Sequence, residues 1–184
     1  MKKQPHVTEQ TRRKLINAFW ELYKTEDLSK ITVGNICRTA SYERTSFYRY
    51  FFDINDVLNQ LEDEIINNIK ISIKNNVKSK AFENFKKFTD EYGEYIVVFY
   101  EKGNKIFYDK FKNLVKDDVY QYLNININDA LKKEFIFEFV FSSLINSFAY
   151  WYRNQDAIDL ETFTDFANNI ILHGTSSIIG KQKN

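Results

Sequence analysis

Glu43-Arg44-Thr45-Ser46 sets a bidentate donor and two hydroxyls on consecutive residues. An arginine can present two N–H groups to O6 and N7 of guanine, and Thr45 and Ser46 can contact bases or phosphate oxygens. Glu43 repels phosphate unless it accepts from a cytosine amino group. Earlier in the chain, Thr32 offers a hydroxyl beside backbone N–H groups suited to a phosphate oxygen. Lys30, Arg38 and Arg49 add cations for a sugar–phosphate backbone. Other chemistries find less support. His6 and His173 stand far apart, so no histidine pair has metal-ligand spacing. Cys37 is the only cysteine, which leaves no disulfide within the chain and no cysteine-based metal site. There is no glycine-rich phosphate loop and no nucleophile elbow. The sequence predicts a non-enzyme with no cofactor.

Two short helices must position these side chains. Thr32 is a good N-cap, and Ile31 and Ile36 have the spacing of a hydrophobic staple. The first short helix is expected to end at Thr39 or Ala40. Ser41 and Tyr42 form the turn, and a second helix covers Arg44 to Tyr50, held by a buried Tyr42 and Phe47. Asp53 caps a third helix, with Asp56 at its third position, and Phe52 and Val57 again have staple spacing. Two helices joined by so tight a turn match the helix-turn-helix unit, whose second helix enters the DNA major groove.

This stretch is similar to the tetracycline-repressor (TetR) family. Ile31-Thr32-Val33 resembles the opening of the family's second helix. Ser46-Phe47-Tyr48-Arg49-Tyr50-Phe51 resembles its aromatic signature, and Phe51-Phe52-Asp53-Ile54-Asn55-Asp56-Val57-Leu58 its junction into the fourth helix. The resemblance covers roughly the first third of the chain. It implies an all-α fold, with an N-terminal three-helix DNA-binding domain over 9–69, its helix-turn-helix at about 32–51, and a C-terminal helical ligand-binding and dimerisation domain over 70–184. It implies a phosphate contact for Tyr48, a palindromic double-stranded DNA operator, a homodimer, and a small-molecule effector that releases a repressor. Three positions depart from the family pattern. Ile54 stands where a lysine is usual near the start of the fourth helix, Ser41 where the turn carries glycine, and Glu43 puts a carboxylate at the DNA-facing end. These departures predict weaker binding or an unusual operator. They also motivate an alternative: a TetR-fold coactivator or adaptor that acts mainly through protein contacts.

The rest of the 184 residues reads as helix. A single proline, at position 5, and five glycines leave little to break helices, and 43% hydrophobic residues suffice for a core. Net charge is +1, but residues 1–53 hold ten Lys/Arg against six Asp/Glu, a basic end on a slightly acidic body. Residues 1–7 read as a basic tail without a signal peptide, and no apolar run is long enough to span a membrane, so a cytoplasmic protein is expected. Thr8 is expected to cap a first helix to about Tyr23. A fourth helix is expected to run from Ile54 to about Asn76, shorter aromatic helices from Ala81, and another helix from Ile106 to Leu123. Asn124 to Asp129 reads as a loop. Two final helices carry broad apolar faces, Phe135 to Tyr152 and Phe163 to Ile178. Small residues at Ser143, Ser147 and Gly174 allow close approach, and these two helices are expected to pair with a second copy in a four-helix bundle. An apolar or aromatic effector is expected among Tyr95, Phe99, Phe107, Phe111, Phe141 and Trp151, by analogy with apolar ligand pockets.

Overall fold

The computed structural model describes residues 5–75, 81–124 and 127–179, with side chains described over 9–174 within those ranges. All regular structure among the described residues is helical. The chain forms two compact units, Met1–Ile65 and Ile66–Asn184.

In the first unit, α1 spans Pro5–Thr25, a 3-10 turn covers Leu28–Lys30, α2 spans Val33–Ala40, α3 spans Arg44–Phe47, and α4 (Ile54–Lys74) begins. The expected start at Thr8 is corrected to Pro5, and the end to Thr25. Proline suits a first helical position because its φ is already helical and its missing N–H would be unpaired there anyway. Residues 1–4 of the expected tail lie outside the described residues. Leu15, Phe19, Ile36, Phe47 and Val57 are each 0% exposed and form the centre of this unit. Arg12 donates to Gln60 and Glu64, both at 3.2 Å, fastening α1 to α4.

Local chemistry sets the ends of the short helices. Thr32 Oγ1 accepts from the Asn35 N–H at 3.1 Å and donates to Asn35 Oδ1 at 2.8 Å. Ser41 closes α2 with φ 58°, a left-handed residue. The Tyr42 N–H reaches the Cys37 carbonyl at 2.9 Å and the Ser41 N–H the Arg38 carbonyl at 3.2 Å, the paired bonds of a Schellman turn. A serine there carries a steric penalty of about 1 kcal/mol that glycine escapes. The expected helix Arg44 to Tyr50 is corrected to four residues. Beyond Phe47 the chain tightens, with the Arg49 N–H bonded to the Ser46 carbonyl and the Tyr50 N–H to the Phe47 carbonyl, each three residues back. Asp53 Oδ1 accepts from the Asp56 N–H at 2.9 Å, and Asp56 Oδ2 from the Phe52 N–H at 2.8 Å. The second staple is not formed: Val57 is buried but Phe52 is 91% exposed. Tyr42, expected to be buried, is half-buried.

The second unit holds the end of α4, then α5 (Ala81–Glu101), α6 (Lys105–Tyr122), α7 (Ala130–Arg153) and α8 (Leu160–Ile179). The expected end of α4 at Asn76, loop residues 125–126 and the side chain of Ile178 lie outside the described residues. Instead of shorter aromatic helices, 81–101 is one helix, since its only glycine, Gly93, has a packing role. A methyl on Gly93 would stand 2.6 Å from Tyr152 Cε2, so the missing Cβ lets α7 approach α5. Gly103, at φ 64°, ends α5 with the same pair of bonds as Ser41: the Asn104 N–H to the Phe99 carbonyl and the Gly103 N–H to the Tyr100 carbonyl. Asn104, Asp129 and Asp159 cap α6, α7 and α8. Their backbone N–H partners hold the Asp129 and Asp159 carboxyls below the usual range. That cap stability is complete above the ordinary carboxylate pKa and fades as pH falls through the lowered values. On the outside, Lys112 pairs with Glu138 at 2.8 Å and Lys116 with Glu134 at 2.6 Å, setting α6 along α7. α8 leans on α7 through a Trp151–Phe163 ring stack at 5.0 Å, and Tyr122 donates to Asn168 at 3.0 Å.

Candidate nucleic-acid interface and effector cleft

The helix-turn-helix brings part of the expected set together. Arg44 is exposed, but its guanidinium lies back over the start of α2: a methyl on Gly34 would stand 3.1 Å from Arg44 Nη2 and 3.7 Å from Thr32 Oγ1. Thr32, Gly34 and Arg44 therefore share one patch, beside first-turn N–H groups that no intrahelical carbonyl can satisfy. Arg38 Nη2 donates to Asn35 Oδ1 at 3.2 Å on the same helix. Glu43 is exposed and accepts from Thr45 Oγ1 at 3.5 Å, while Ser46 is half-buried. Tyr48 is 59% exposed, its ring edge-on to Phe47 at 5.4 Å, and Arg49 is exposed beside it. Phe47 and Phe51 are buried and packed at 5.3 Å, so the aromatic signature separates into two core rings and one outward tyrosine. Burial pushes the Cys37 thiol up in pKa, against the pull of the Arg44 charge. A thiol held in its neutral form is a poor nucleophile.

Sequence reasoning missed Gly34. Its signal was available, because a glycine inside a helix costs about 0.5–1 kcal/mol and so marks a close approach. It also missed Phe52, whose exposure depends on the direction in which the chain leaves α3.

The six candidate effector residues fall in four places. Phe99 and Phe107 are buried and pack against each other with tilted rings at 4.3 Å, core packing in character. Phe111 and Phe141, 5.9 Å apart, line a cleft of about 220 Å³ together with Phe88, Ile96, Val115 and Phe148. Trp151 donates from Nε1 to the Ile158 carbonyl at 2.8 Å and lines a separate groove of about 510 Å³ along α7 and α8. Tyr95 is half-buried and lines neither. Phe88, Val115 and Phe148 were missed, since residues from separate helices meet there only through tertiary packing.

The broad faces of α7 and α8 split in two. Ile136, Val140, Phe148 and Trp151 are buried. Phe135, Phe139, Tyr150, Phe166 and Ile170 are between 57% and 73% exposed, beside exposed Ser143, Ser147 and Gly174. So large an apolar face on water marks an interaction surface. Among the described residues, no group of three His, Cys, Asp or Glu side chains is placed to hold a metal ion, and no helix is long and apolar enough to cross a membrane.

No protein-family model and no curated protein matches the chain. Solved structures do. A TetR transcriptional regulator from Streptococcus agalactiae 2603V superposes with TM-score 0.68 at 19% identity, covering 90% of this chain and 96% of its own. The fatty acid degradation regulator FadR from Bacillus halodurans gives TM-score 0.58 at 16% identity, covering 95% and 98%. The dihydroxyacetone kinase operon activator DhaS gives 0.55 at 17%, covering 92% and 96%. The likeness is one of fold: a helix-turn-helix end followed by a helical body.

Proposed function

We propose that this chain, built on the TetR-type all-α fold, is a dimeric DNA-binding transcriptional regulator of the cytoplasm, a repressor released by a small apolar effector. The observation that carries this reading is the helix-turn-helix itself. It holds Arg44, Thr32, Tyr48 and Arg49 on an exposed, basic end while Phe47 and Phe51 anchor it from within. DNA binding is assigned to residues 9–69 and regulation with dimerisation to 70–184. The dimer forms through α7 and α8, whose apolar side chains Phe135, Phe139, Phe166 and Ile170 stay exposed among the described residues. Two such modules read a palindrome, with half-sites spaced at about one helical turn or a multiple.

Footprinting on the DNA flanking the gene tests the reading. A protected two-fold symmetric site is expected. Arg44→Ala should relax base preference at a cost of about 1–3 kcal/mol, and Tyr48→Phe should weaken all sites alike while leaving the salt dependence unchanged, since the lost hydroxyl carries no charge. No sequence-specific complex at low salt would instead favour the adaptor reading, for which exposed Glu43 and the apolar Ile54 speak. One of the similar structures carries the name of an operon activator. The sign of regulation is therefore read from transcript levels after gene deletion, where a repressor's targets rise.

A further inference from the structure

Phe52 is 91% exposed, the most exposed large apolar side chain among the described residues. Its backbone is held from several directions. The Phe52 N–H donates to Asp56 Oδ2 at 2.8 Å, and Asp56 Oδ1 accepts from Gln60 Nε2 at 3.2 Å. The same Gln60 amide donates to the Tyr50 carbonyl at 3.2 Å, and Arg12 Nε reaches Gln60 Oε1 from α1, also at 3.2 Å. The link between α3 and α4 is thus fixed by α1 and α4 together, and it presents a bare ring to water. An aromatic ring on a fixed backbone gives up little freedom when a partner covers it.

The surroundings of the ring point to the partner. Phe52 borders a notch of about 310 Å³ with Tyr48, Arg49, Tyr50 and Phe51. Tyr48 and Arg49 are exposed, and their hydroxyl and guanidinium suit a phosphate. The nearby Asp53 and Asp56 carboxylates accept from the Asp56 and Phe52 N–H groups at the start of α4, where the helix dipole offsets their charge. Phenylalanine has no donor for a phosphate oxygen. The apolar part of a DNA strand beside a phosphate is the C–H face of the sugar.

We infer that Phe52 packs its ring on a deoxyribose of the operator, next to the phosphate met by Tyr48 and Arg49. The TetR pattern carries a lysine two residues further on, where this chain has Ile54. Part of the grip on the backbone is thereby moved from charge to burial. Such a contact is indifferent to base sequence. It is also indifferent to salt, since an uncharged ring releases no counterion from the duplex.

This inference rests on the DNA-binding reading, and the experiment keeps the two apart. The full chain is titrated onto the footprinted duplex and its single-base variants over a salt series. Phe52→Ala should weaken every duplex by about fivefold to tenfold per half-site, the worth of covering one face of the ring. The slope of log affinity against log salt should not change. Phe52→Lys sets an ammonium at the same place and should steepen that slope by about 0.9 per half-site. The urea midpoint reported by Trp20 should stay where it is in Phe52→Ala, a readout that a merely structural role would move. A loss under about twofold, or a midpoint that falls along with the affinity, overturns the contact. A loss that follows the base at one position places the ring on a base and overturns the sugar assignment. An unchanged slope in Phe52→Lys takes the residue off the strand. A parent chain that binds no duplex at low salt overturns the DNA-binding reading and this contact with it.

Discussion

Phe47→Ala is expected to destabilise the N-terminal unit by about 3–5 kcal/mol, the usual cost of emptying a buried phenylalanine site. Phe47 is 0% exposed and its ring meets both Tyr48 and Phe51. A single domain has only about 5–15 kcal/mol in total, so the loss consumes much of its margin. The two tryptophans make the effect separable, since Trp20 lies in the first unit and Trp151 in the second. In urea unfolding of the full chain, the Trp20 transition should move to lower denaturant while the Trp151 transition stays. The proposed DNA binding should fall with the Trp20 signal, because Arg44 and Tyr48 stand on and just after the short α3 that Phe47 anchors. A loss under about 1 kcal/mol would mean that the turn holds its shape without this ring, contrary to its burial.

Phe166→Asp is expected to split the proposed dimer. Phe166 is 66% exposed and lies one turn before exposed Ile170. In a two-fold interface each substitution appears twice, so two carboxylates are buried without partners. Each costs several kcal/mol when desolvated, and the dissociation constant should rise by on the order of a thousandfold or more. Sedimentation at micromolar concentration reads this as a monomer, with unchanged circular dichroism because the position is exposed within one chain. Operator affinity should drop as well, since the two half-sites are then bound independently. A variant that keeps the dimer mass would move the interface off α8.

The starts of α2 and α4 were legible because capping is local. Thr32 and Asp53 act within four residues, and spacing alone reveals them. Phe47 was expected inside and is buried, whereas an outward Tyr48 was legible only through the TetR resemblance. The length of α3 was not legible, because an α-turn and a 3-10 turn place apolar residues at nearly the same spacing. The exposure of Phe52 contradicts a staple pattern that its neighbours satisfy, since the pattern says nothing of the direction in which the chain departs. Arg44 was read as pointing straight outward, and only tertiary contact shows its guanidinium over Gly34. The cleft was half-legible. Phe111 and Phe141 were named, but Phe88 and Phe148 join them only through the packing of α5 against α7.

With Arg44 reading the operator as proposed, Gly34 sets stability and recognition against each other. Alanine in its place would stiffen α2 by about 0.5–1 kcal/mol through lost unfolded-state freedom. Yet that methyl would crowd the Arg44 guanidinium, at 3.1 Å from Nη2, and push it outward by a few tenths of an ångström. A library enriched only for heat resistance should therefore accumulate alanine at position 34, and those survivors should grip the operator less firmly than the parent. A second round that demands operator retention should restore the glycine, and sequencing both pools would read the trade directly.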